Sequence, residues 1–331
     1  MLRLLIAYLI LLFALTSCFK EDELVSPHES GDLTQGVVEL TKTYKYQVFF
    51  DFKTNSEIKH NLISEWDLGF ETSDSGWHII LNTSKMMLAG NTGKTDFETV
   101  TNNNGIEMNF DPSDGNLDST AIGIWYTLSN KKPVSNENIF IVDRGTDENY
   151  NQLGYKKVKF NFQDEKTYIV RFADLDGSNE QLATIPKDTT VNFVCLSFEN
   201  GIVDIEPNKS SWDLQFGKYS TLLSTSDGEP YPYLVTGVLL NPFKTFAIQD
   251  TVHPFDKISF ETVQEQTLVN QKDVIGYDWK EYNFENAMYT VMSENFYVIK
   301  NRTGFYYKMR FIGYYNSTGE KGYPTFEFLR L

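Results

Sequence analysis

The chain beyond position 36 consists mainly of short runs in which apolar and polar residues alternate. Residues 37–52 (VVELTKTYKYQVFFDF), 167–175 (TYIVRFADL) and 324–331 (PTFEFLRL) all show this pattern. Period-two alternation places successive side chains on opposite faces and is typical of half-buried β-strands. In residues 296–311, two such runs flank Asn-Arg-Thr-Gly, which predicts a hairpin. Residues 284–292 are the only candidate for an amphipathic helix, so we predict an all-β fold with little helix.

A sequence repeat divides the chain into two copies. The motif Trp-Asp-Leu-x-Phe begins at Trp66 and again at Trp212, 146 positions later, and at the same offset Phe52 matches Phe198. We interpret this as an ancient duplication in which each copy encloses its own core. Trp66, Trp212, Phe52 and Phe198 are then the predicted core residues of the repeat. The copies are assigned to residues 36–186 and 187–331.

Matches further along the chain keep the same order while their offset drifts, as expected if insertions lie in loops. Phe140 corresponds to Phe296, and residues 168–172 resemble residues 307–311. Within the repeated motif, an aspartate lies on the face opposite the tryptophan. We expect its carboxylate to accept hydrogen bonds from a neighbouring turn.

The N-terminus has the pattern of an export signal. Residues 1–17 contain one early cation followed by an apolar run that is short for a membrane-spanning helix. The sequence Leu-Thr-Ser-Cys that ends at Cys18 resembles the lipobox of bacterial lipoproteins, in which the cysteine is lipidated. Residues 19–23 (FKEDE) resemble an acidic tag for export to the outer face, and residues 18–35 are predicted to form a flexible tether. An ordinary signal peptide with a chance cysteine is the alternative.

Charge and cysteine content exclude several classes of protein. The formal net charge of −16 argues against a nucleic-acid partner, whose phosphates would be repelled. The chain has two cysteines, and the anchor uses one of them. Cys195 is therefore expected to be a free, small core residue, and neither an intramolecular disulfide nor a cysteine-based metal cluster is expected.

Motifs for catalysis are weak throughout the sequence. Residues 90–95, GNTGKT, end like a phosphate loop, but they lack the upstream glycine and a following helix. Neither a nucleophile elbow nor a His-x-x-x-His metal pair occurs in the sequence. We predict that the protein is not an enzyme. A β-scaffold glycosidase, whose two acids lie far apart in sequence, is the alternative.

One family resemblance follows from the order of the aromatic motifs. Residues 197–201 (SFENG), 210–216 (SSWDLQF), 296–311 (FYVIKNRTGFYYKMRF) and 321–328 (KGYPTFEF) follow one another in the second copy. This series resembles the HmuY haem-binding lipoproteins, and the first copy matches at both ends. The resemblance implies two tandem HmuY-like antiparallel β domains. It also implies a lipid anchor in the outer membrane with surface exposure, haem b as cofactor, and transfer of haem to an outer-membrane receptor without catalysis.

The ligands of the haem iron do not follow directly from the resemblance. Members of the best-known type place a histidine shortly after a tryptophan that precedes the C-terminal hairpin, and here Phe284 occupies that position. Methionine thioethers are the substitute, since some members of the family are thought to use them. The candidate haem ligands are Met288, Met292 and His253.

The resemblance therefore predicts a non-catalytic surface lipoprotein that binds haem or a related tetrapyrrole for iron acquisition. The alternative is a surface module that binds a glycan or an outer-membrane receptor through its aromatic faces. A haem carrier is expected to have an apolar slot with His or Met at its mouth. A glycan binder is expected to expose flat Trp or Tyr rings beside polar neighbours.

Overall fold

The computed structural model describes residues 31–331. The predicted signal peptide (residues 1–17), Cys18 and most of the predicted tether (residues 18–35) lie outside the described residues. In the described part, antiparallel strands form six sheets, and the α-helical content is one short helix, α1 (Phe260–Gln264). The prediction of an all-β fold is confirmed.

The strands run in chain order from β1 to β22. They are β1 (Thr34–Val37), β2 (Tyr46–Asp51), β3 (Ser56–Leu62), β4 (Leu68–Glu71), β5 (Ile79–Leu81), β6 (Leu88–Asn91), β7 (Tyr126–Ser129), β8 (Lys132–Ser135), β9 (Ile139–Asp143), β10 (Tyr155–Asp164) and β11 (Thr167–Ala173). They continue with β12 (Gln181–Pro186), β13 (Phe193–Ser197), β14 (Gly201–Val203), β15 (Leu214–Ser224), β16 (Pro230–Leu240), β17 (Phe246–Asp250), β18 (Lys280–Asn283), β19 (Met288–Val291), β20 (Phe296–Lys300), β21 (Tyr306–Tyr315) and β22 (Lys321–Arg330).

Short 3-10 helices occur in the connections, at Thr83–Lys85, Phe97–Thr99, Leu117–Ser119 and Phe255–Lys257. The segment of residues 284–292, the only helix candidate of the sequence, instead contains strand β19, which pairs with β18. Its apolar residues therefore belong to a two-stranded ribbon. The hairpin predicted in residues 296–311 is present as β20 and β21.

One continuous segment, residues 68–203, forms the first structural unit. Its five-stranded sheet has the order β12-β11-β10-β9-β6, and its four-stranded sheet has the order β14-β13-β4-β5. Strands β13 and β14 belong to the second sequence copy, yet β13 pairs with β4 of the first copy. The first unit thus takes its last hairpin from the second copy.

The second structural unit is formed by both ends of the chain. Its sheets have the orders β1-β22-β21-β20-β17 and β16-β15-β2-β3. The N-terminal strand β1 pairs with the C-terminal strand β22, and β2 pairs with β15. The first unit is therefore nested between the two segments of the second unit.

The two units have equivalent topologies, which corrects one alignment made from the sequence. Strand β9 corresponds to β20, β10 to β21, and β11 to β22. The match of Phe140 with Phe296 agrees with this order, but residues 168–172 lie in β11 and residues 307–311 lie in β21. That pairing was wrong because neighbouring strands of these sheets carry similar aromatic alternation.

The sequence repeat suggested that each copy encloses its own core. The nesting of the units shows that the copies do not enclose separate cores. Phe198 of the second copy packs in the first unit, 4.9 Å from the ring of Phe172. Phe52 of the first copy packs in the second unit, where its ring is stacked 4.8 Å from that of Tyr307. The expectation fails because duplicated copies present equivalent sheet edges, and in this structure each four-stranded sheet joins strands from both copies.

The two motif tryptophans lie together at the junction of the units. Trp66 and Trp212 are both buried and belong to one small cluster with Phe49, Cys195 and Ile205. This cluster is separate from the larger cores of the two units. Cys195 is buried and free.

The aspartate of the second motif attaches a first-copy hairpin to second-copy strands. Asp213 is fully buried, and its Oδ2 accepts a hydrogen bond of 3.0 Å from the backbone N–H of Phe52. Its Oδ1 accepts from Arg302 Nη1, and Nη2 of the same guanidinium donates to Asp51 at 2.7 Å. Arg302 lies in the turn between β20 and β21, so three chain segments meet at one carboxylate.

The aspartate of the first motif has the equivalent role in the first unit. Asp67 Oδ2 accepts from the backbone N–H of Phe198 at 2.8 Å, and Asp67 Oδ1 accepts from Arg144 Nε at 3.1 Å. Lys85 also donates to Asp67. The repeated Trp-Asp pair thus places the ring in the junction cluster and uses the carboxylate to hold the exchanged hairpin.

Candidate functional site

A large groove lies between the two units and has a volume of about 1300 Å³. We call it the tyrosine groove, because tyrosines are its most frequent lining residues. Most of its side chains come from the first unit, from strands β15 and β16, and from residues 277–292, and Tyr44 and Lys321 complete the lining. The lining tyrosines are Tyr44, Tyr150, Tyr231, Tyr233, Tyr277, Tyr282 and Tyr289, and the lining lysines are Lys85, Lys218, Lys280 and Lys321.

Two strand pairs position the aromatic rings. Tyr231 and Tyr233 are alternate residues of β16 and share one face, with their ring centroids 6.1 Å apart. Tyr282 of β18 pairs directly with Tyr289 of β19, and these rings lie 5.0 Å apart. The hydroxyl of Tyr315 accepts from the backbone N–H of Tyr289 at 2.6 Å. Ring faces are therefore held on rigid strands on two sides of the groove.

The lysines supply positive charge within this aromatic wall. Lys218 Nζ lies 4.8 Å from the ring centroid of Tyr150 and 3.5 Å from its hydroxyl oxygen. Lys280 is buried, and its Nζ donates to the carbonyl of Thr236. Burial lowers the pKa of Lys280 to about 7. Lys280 therefore changes charge in the neutral pH range.

Two methionines line the groove, one from each unit. Met292 follows β19 and is 40% exposed. Met86 follows the 3-10 helix Thr83–Lys85 and has a left-handed backbone with φ of 60°. The adjacent Gly145 has φ of 61°, and a Cβ at that position would overlap the carbonyl of Lys85. This close approach brings the loop after β9 against the segment that carries Met86.

The structure separates the predicted haem ligands. Of the three candidates, Met292 lines the groove, whereas Met288 and His253 do not. Met288 is 50% exposed on β19, the strand that precedes Met292. His253 lies in the turn after β17, where its Nδ1 is 3.0 Å from Asp250 Oδ2. The structure therefore does not bring the three candidates together at one site.

The other histidines of the described region are also engaged elsewhere. His60 Nδ1 contacts Glu57, and His78 Nδ1 lies 2.5 Å from Glu71 Oε2. The hydrogen bond to Glu71 raises the pKa of His78. Within residues 31–331, none of the histidines lines the tyrosine groove, and no group of three His, Cys, Asp or Glu side chains could hold a metal ion.

Sequence reasoning did not identify the groove tyrosines or Met86 as a site. The pattern Tyr-Pro-Tyr at the start of β16 was the available signal, since two rings at alternate positions of a polar strand share one face. Met86 lies in the first copy and is not among the candidate haem ligands that the sequence indicates. Its position opposite second-copy residues depends on the nesting of the units, which the sequence pattern does not reveal.

Together, the groove offers aromatic ring faces, ammonium groups and two thioethers. Aromatic faces stack on flat, apolar molecules, and lysines bind carboxylates. A thioether is a soft ligand for a transition metal such as iron. The donor set therefore fits a flat molecule with acidic substituents and a central metal ion.

None of the helices in residues 31–331 has the length and hydrophobicity that are needed to span a membrane.

Three of the solved structures that are similar to this chain illustrate the low sequence identity of the matches. Apo PinO from Porphyromonas gingivitis is 10% identical with a TM-score of 0.30, and the match covers 91% of this chain and 98% of that chain. The apo HmuY analog from Tannerella forsythia is 13% identical with a TM-score of 0.26, covering 92% and 97%. A Bacteroides vulgatus protein named HmuY-like and heme-binding is 17% identical with a TM-score of 0.19, covering 52% and 90%.

No curated protein matches the chain. The family model for HmuY protein matches twice, at residues 43–185 and at residues 189–328. These two matches follow the two copies of the sequence repeat and together cover most of the chain. The chain therefore belongs to the HmuY family, as a member in which the family sequence occurs twice.

Proposed function

We propose that this protein binds haem b, or a related tetrapyrrole, in the tyrosine groove. The observation that carries the proposal is the pair of thioethers, Met86 and Met292, that line one aromatic groove from opposite units. Membership of the HmuY family supports it. The name of the Bacteroides vulgatus protein, which describes heme binding, also supports it.

The residues of the groove divide the work of holding a tetrapyrrole. Tyr282 and Tyr289 offer ring faces for stacking, and Lys218 offers positive charge for acidic side chains of the macrocycle. Met86 and Met292 are the residues whose thioethers would hold the iron of a bound haem. The haem supplies iron, which soft thioethers bind better in the ferrous than in the ferric state. No step of this function requires catalysis by the protein.

A haem titration tests the proposal directly. Residues 19–331 would be titrated with haem, once oxidised and once reduced with dithionite, while the Soret band is followed. Second-shell partners of metal ligands contribute about 10–100-fold to affinity, so loss of a direct ligand in Met292→Ala or Met86→Ala is expected to weaken ferrous haem binding about tenfold or more. Met288→Ala is the matched control, because Met288 is on the neighbouring strand but does not line the groove.

The outcomes separate the ligand assignment from the function. A Soret shift that survives both Met292→Ala and Met86→Ala, or that is lost in Met288→Ala alone, contradicts the assigned ligands. A shift lost only in His253→Ala would restore the histidine candidate of the sequence. The absence of any Soret shift in both redox states contradicts haem binding itself.

We further propose that the protein acts at the outer membrane as a surface lipoprotein and passes haem to a receptor there. The lipobox-like end of residues 1–17 and the family membership support this location. Cys18→Ala is expected to abolish lipidation and release the protein into soluble fractions. Metabolic labelling with a palmitate analogue checks this, and a lipid-labelled, membrane-bound Cys18→Ala protein would contradict the anchor.

Glycan binding is the second candidate function, and one observation favours it. Tyr231, Tyr233 and Phe284 expose their rings at the tyrosine groove beside lysine and carboxylate groups. Such a surface can stack on sugar rings. Saturable binding of oligosaccharides that is lost in Tyr231→Ala and Tyr233→Ala, together with no Soret shift, would favour this function over haem binding.

A further inference from the structure

A second, smaller cavity lies at the junction of the two units and is separate from the tyrosine groove. Its volume is about 140 Å³, and none of its lining residues lines the groove. Side chains of both units form it, and the loop of residues 111–117 borders it. The two motif tryptophans, Trp66 and Trp212, are part of its wall. Because the cavity depends on the nesting of the units, it is a property of the whole tandem chain.

Most of the cavity wall is apolar and aromatic. Phe49 contacts Trp212 edge to face, with ring centroids 5.0 Å apart. Ile80, Ile205 and Leu239 also line the space. An engineered apolar cavity of about 150 Å³ holds a benzene molecule, so this cavity has the size of a single six-membered ring.

The equivalent tryptophans differ in one respect inside this wall. Trp66 Nε1 donates a 2.9 Å hydrogen bond to Gln47 Oε1. Trp212 Nε1 has no hydrogen-bond partner within residues 31–331, although Trp212 is only 2% exposed. A buried N–H without an acceptor is costly, and native proteins satisfy nearly all such groups. Trp212 therefore lines the cavity with an indole whose N–H has no acceptor among residues 31–331.

The carboxylates in the wall already have donors of their own. Asp111 accepts from the backbone N–H groups of Leu81 and Ala121, at 2.7 and 2.8 Å. Glu206 accepts from the backbone N–H groups of Asn192 and Phe193, at 2.9 and 3.0 Å. These hydrogen bonds tie both carboxyl groups to the backbone of the wall, and neither carboxyl group accepts a hydrogen bond from Trp212 Nε1.

The charge of the cavity favours an uncharged occupant. Burial raises the pKa of Asp111 to about 6 and that of Glu206 to about 7, and burial lowers the pKa of Lys272. All three groups are thus shifted toward their neutral forms. An anion would face two acidic groups here, whereas a neutral carbonyl oxygen would face the indole N–H of Trp212.

We propose that the junction cavity is a binding site for a small, uncharged aromatic molecule that carries a carbonyl oxygen. The ring fills the apolar space between Phe49 and Leu239, and the oxygen accepts from Trp212 Nε1. The site is independent of the tyrosine groove, so it stands whether or not haem binds there.

Residues 19–331 labelled with ¹⁵N in the tryptophan indoles provide the test, with benzamide as the probe. The Nε1–H resonance of Trp212, assigned with Trp212→Phe, is expected to shift saturably as benzamide is added. Benzene has the ring without the acceptor, and benzoate adds a negative charge, so both are expected to bind more weakly. One hydrogen bond corresponds to about threefold to tenfold in affinity, which is the expected loss in Trp212→Phe.

Trp66→Phe is the matched control, since the indole N–H of Trp66 already has an acceptor, and benzamide affinity is expected to change less than in Trp212→Phe. Leu239→Phe, which fills the cavity, is expected to abolish binding, and circular dichroism checks that each variant is folded. The proposal is overturned if benzamide causes no saturable shift at Trp212, if benzene or benzoate binds as tightly, or if a folded Leu239→Phe protein binds benzamide normally.

Discussion

Trp66 and Trp212 belong to one cluster, although each comes from a different copy of the repeat. Each substitution to alanine removes a large buried ring and is expected to lower the free energy of unfolding by about 3–5 kcal/mol. Because both rings contact the same junction cluster, the effects of the double substitution are expected to be less than additive. Equilibrium denaturation with urea measures these values. Strict additivity would indicate that the rings stabilise separate regions.

Lys280 predicts a pH dependence of stability. Its pKa is about 7 in the folded protein and near its usual value of about 10.4 in the unfolded chain. Between these two pKa values the unfolded state binds more protons than the folded state. Lys280 therefore makes the free energy of unfolding increase from pH 7 toward pH 10, and this increase is lost as the pH falls back to 7. One pKa unit corresponds to about 1.4 kcal/mol, so the gain by pH 9.5 is expected to reach up to about 3 kcal/mol.

Comparison with Lys280→Met isolates this contribution, because other groups titrate in both proteins. Urea denaturation at pH 6.5 and pH 9.5 gives the difference in unfolding free energy at each pH. The unfolding free energy of the wild-type protein, relative to that of the variant, is expected to be larger at pH 9.5 than at pH 6.5. An equal difference at both values would mean that Lys280 is charged throughout.

At the scale of elements, the buried aspartates decide how firmly the exchanged hairpins are held. Asp213→Ala leaves the N–H of Phe52 without its acceptor and removes one of the two carboxylates that bind Arg302. Breaking a buried ion pair from one side costs about 3–5 kcal/mol, and we expect a loss of this size in unfolding free energy. Asp67→Ala is expected to have a similar effect in the first unit.

Asp204→Ala is the matched control for these two substitutions. Asp204 forms an ion pair with Lys59, but its side chain is 91% exposed. Exposed pairs contribute at most about 1 kcal/mol, so this variant is expected to remain close to the wild type. A loss in Asp213→Ala no larger than that in Asp204→Ala would contradict the holding role of the motif.

Several elements could be predicted from the sequence because their information is local. The hairpin of β20 and β21 follows from two alternating runs around a short turn, and the two copies follow from the repeated motif. The pattern of residues 284–292 gave a wrong helix prediction because six apolar or aromatic residues within nine positions fit both a helix and a strand. Partner strands were not predictable, since β4 and β15 both follow the Trp-Asp motif and begin with the same Leu-x-Phe pattern.

At the scale of the whole molecule, nesting separates sequence copies from structural units. A fragment of residues 64–207 contains every strand of the first unit and its complete core cluster. It is expected to fold alone and to unfold cooperatively in urea. A fragment of residues 36–186 has similar length but lacks β13 and β14, and it carries β2 and β3 without β15. This fragment is expected to be poorly folded, and its NMR spectrum is expected to show little chemical-shift dispersion.

The opposite result, a folded 36–186 fragment beside an unfolded 64–207 fragment, would show that each copy can close on its own hairpin. The boundary between residues 186 and 187 stays a prediction about the repeat until this comparison is made.

The same nesting explains why the candidate site was only partly predictable. Met292 was named from its distance to the C-terminal hairpin, whereas Met86 reaches the groove only because the two units meet there.

Nesting also imposes an order in time on a chain that emerges from its N-terminus. The backbone N–H of Phe52 can form its hydrogen bond with Asp213 only after the chain has been extended by another 161 residues. At synthesis rates of about 5–20 residues per second, that interval is on the order of ten seconds or more. All strands of the first unit emerge within it, while the apolar residues of β2 still lack their partner strand β15. Strands synthesised late therefore cover strands synthesised early. A chain truncated before β15 would leave the hairpin of β2 and β3 exposed to solvent.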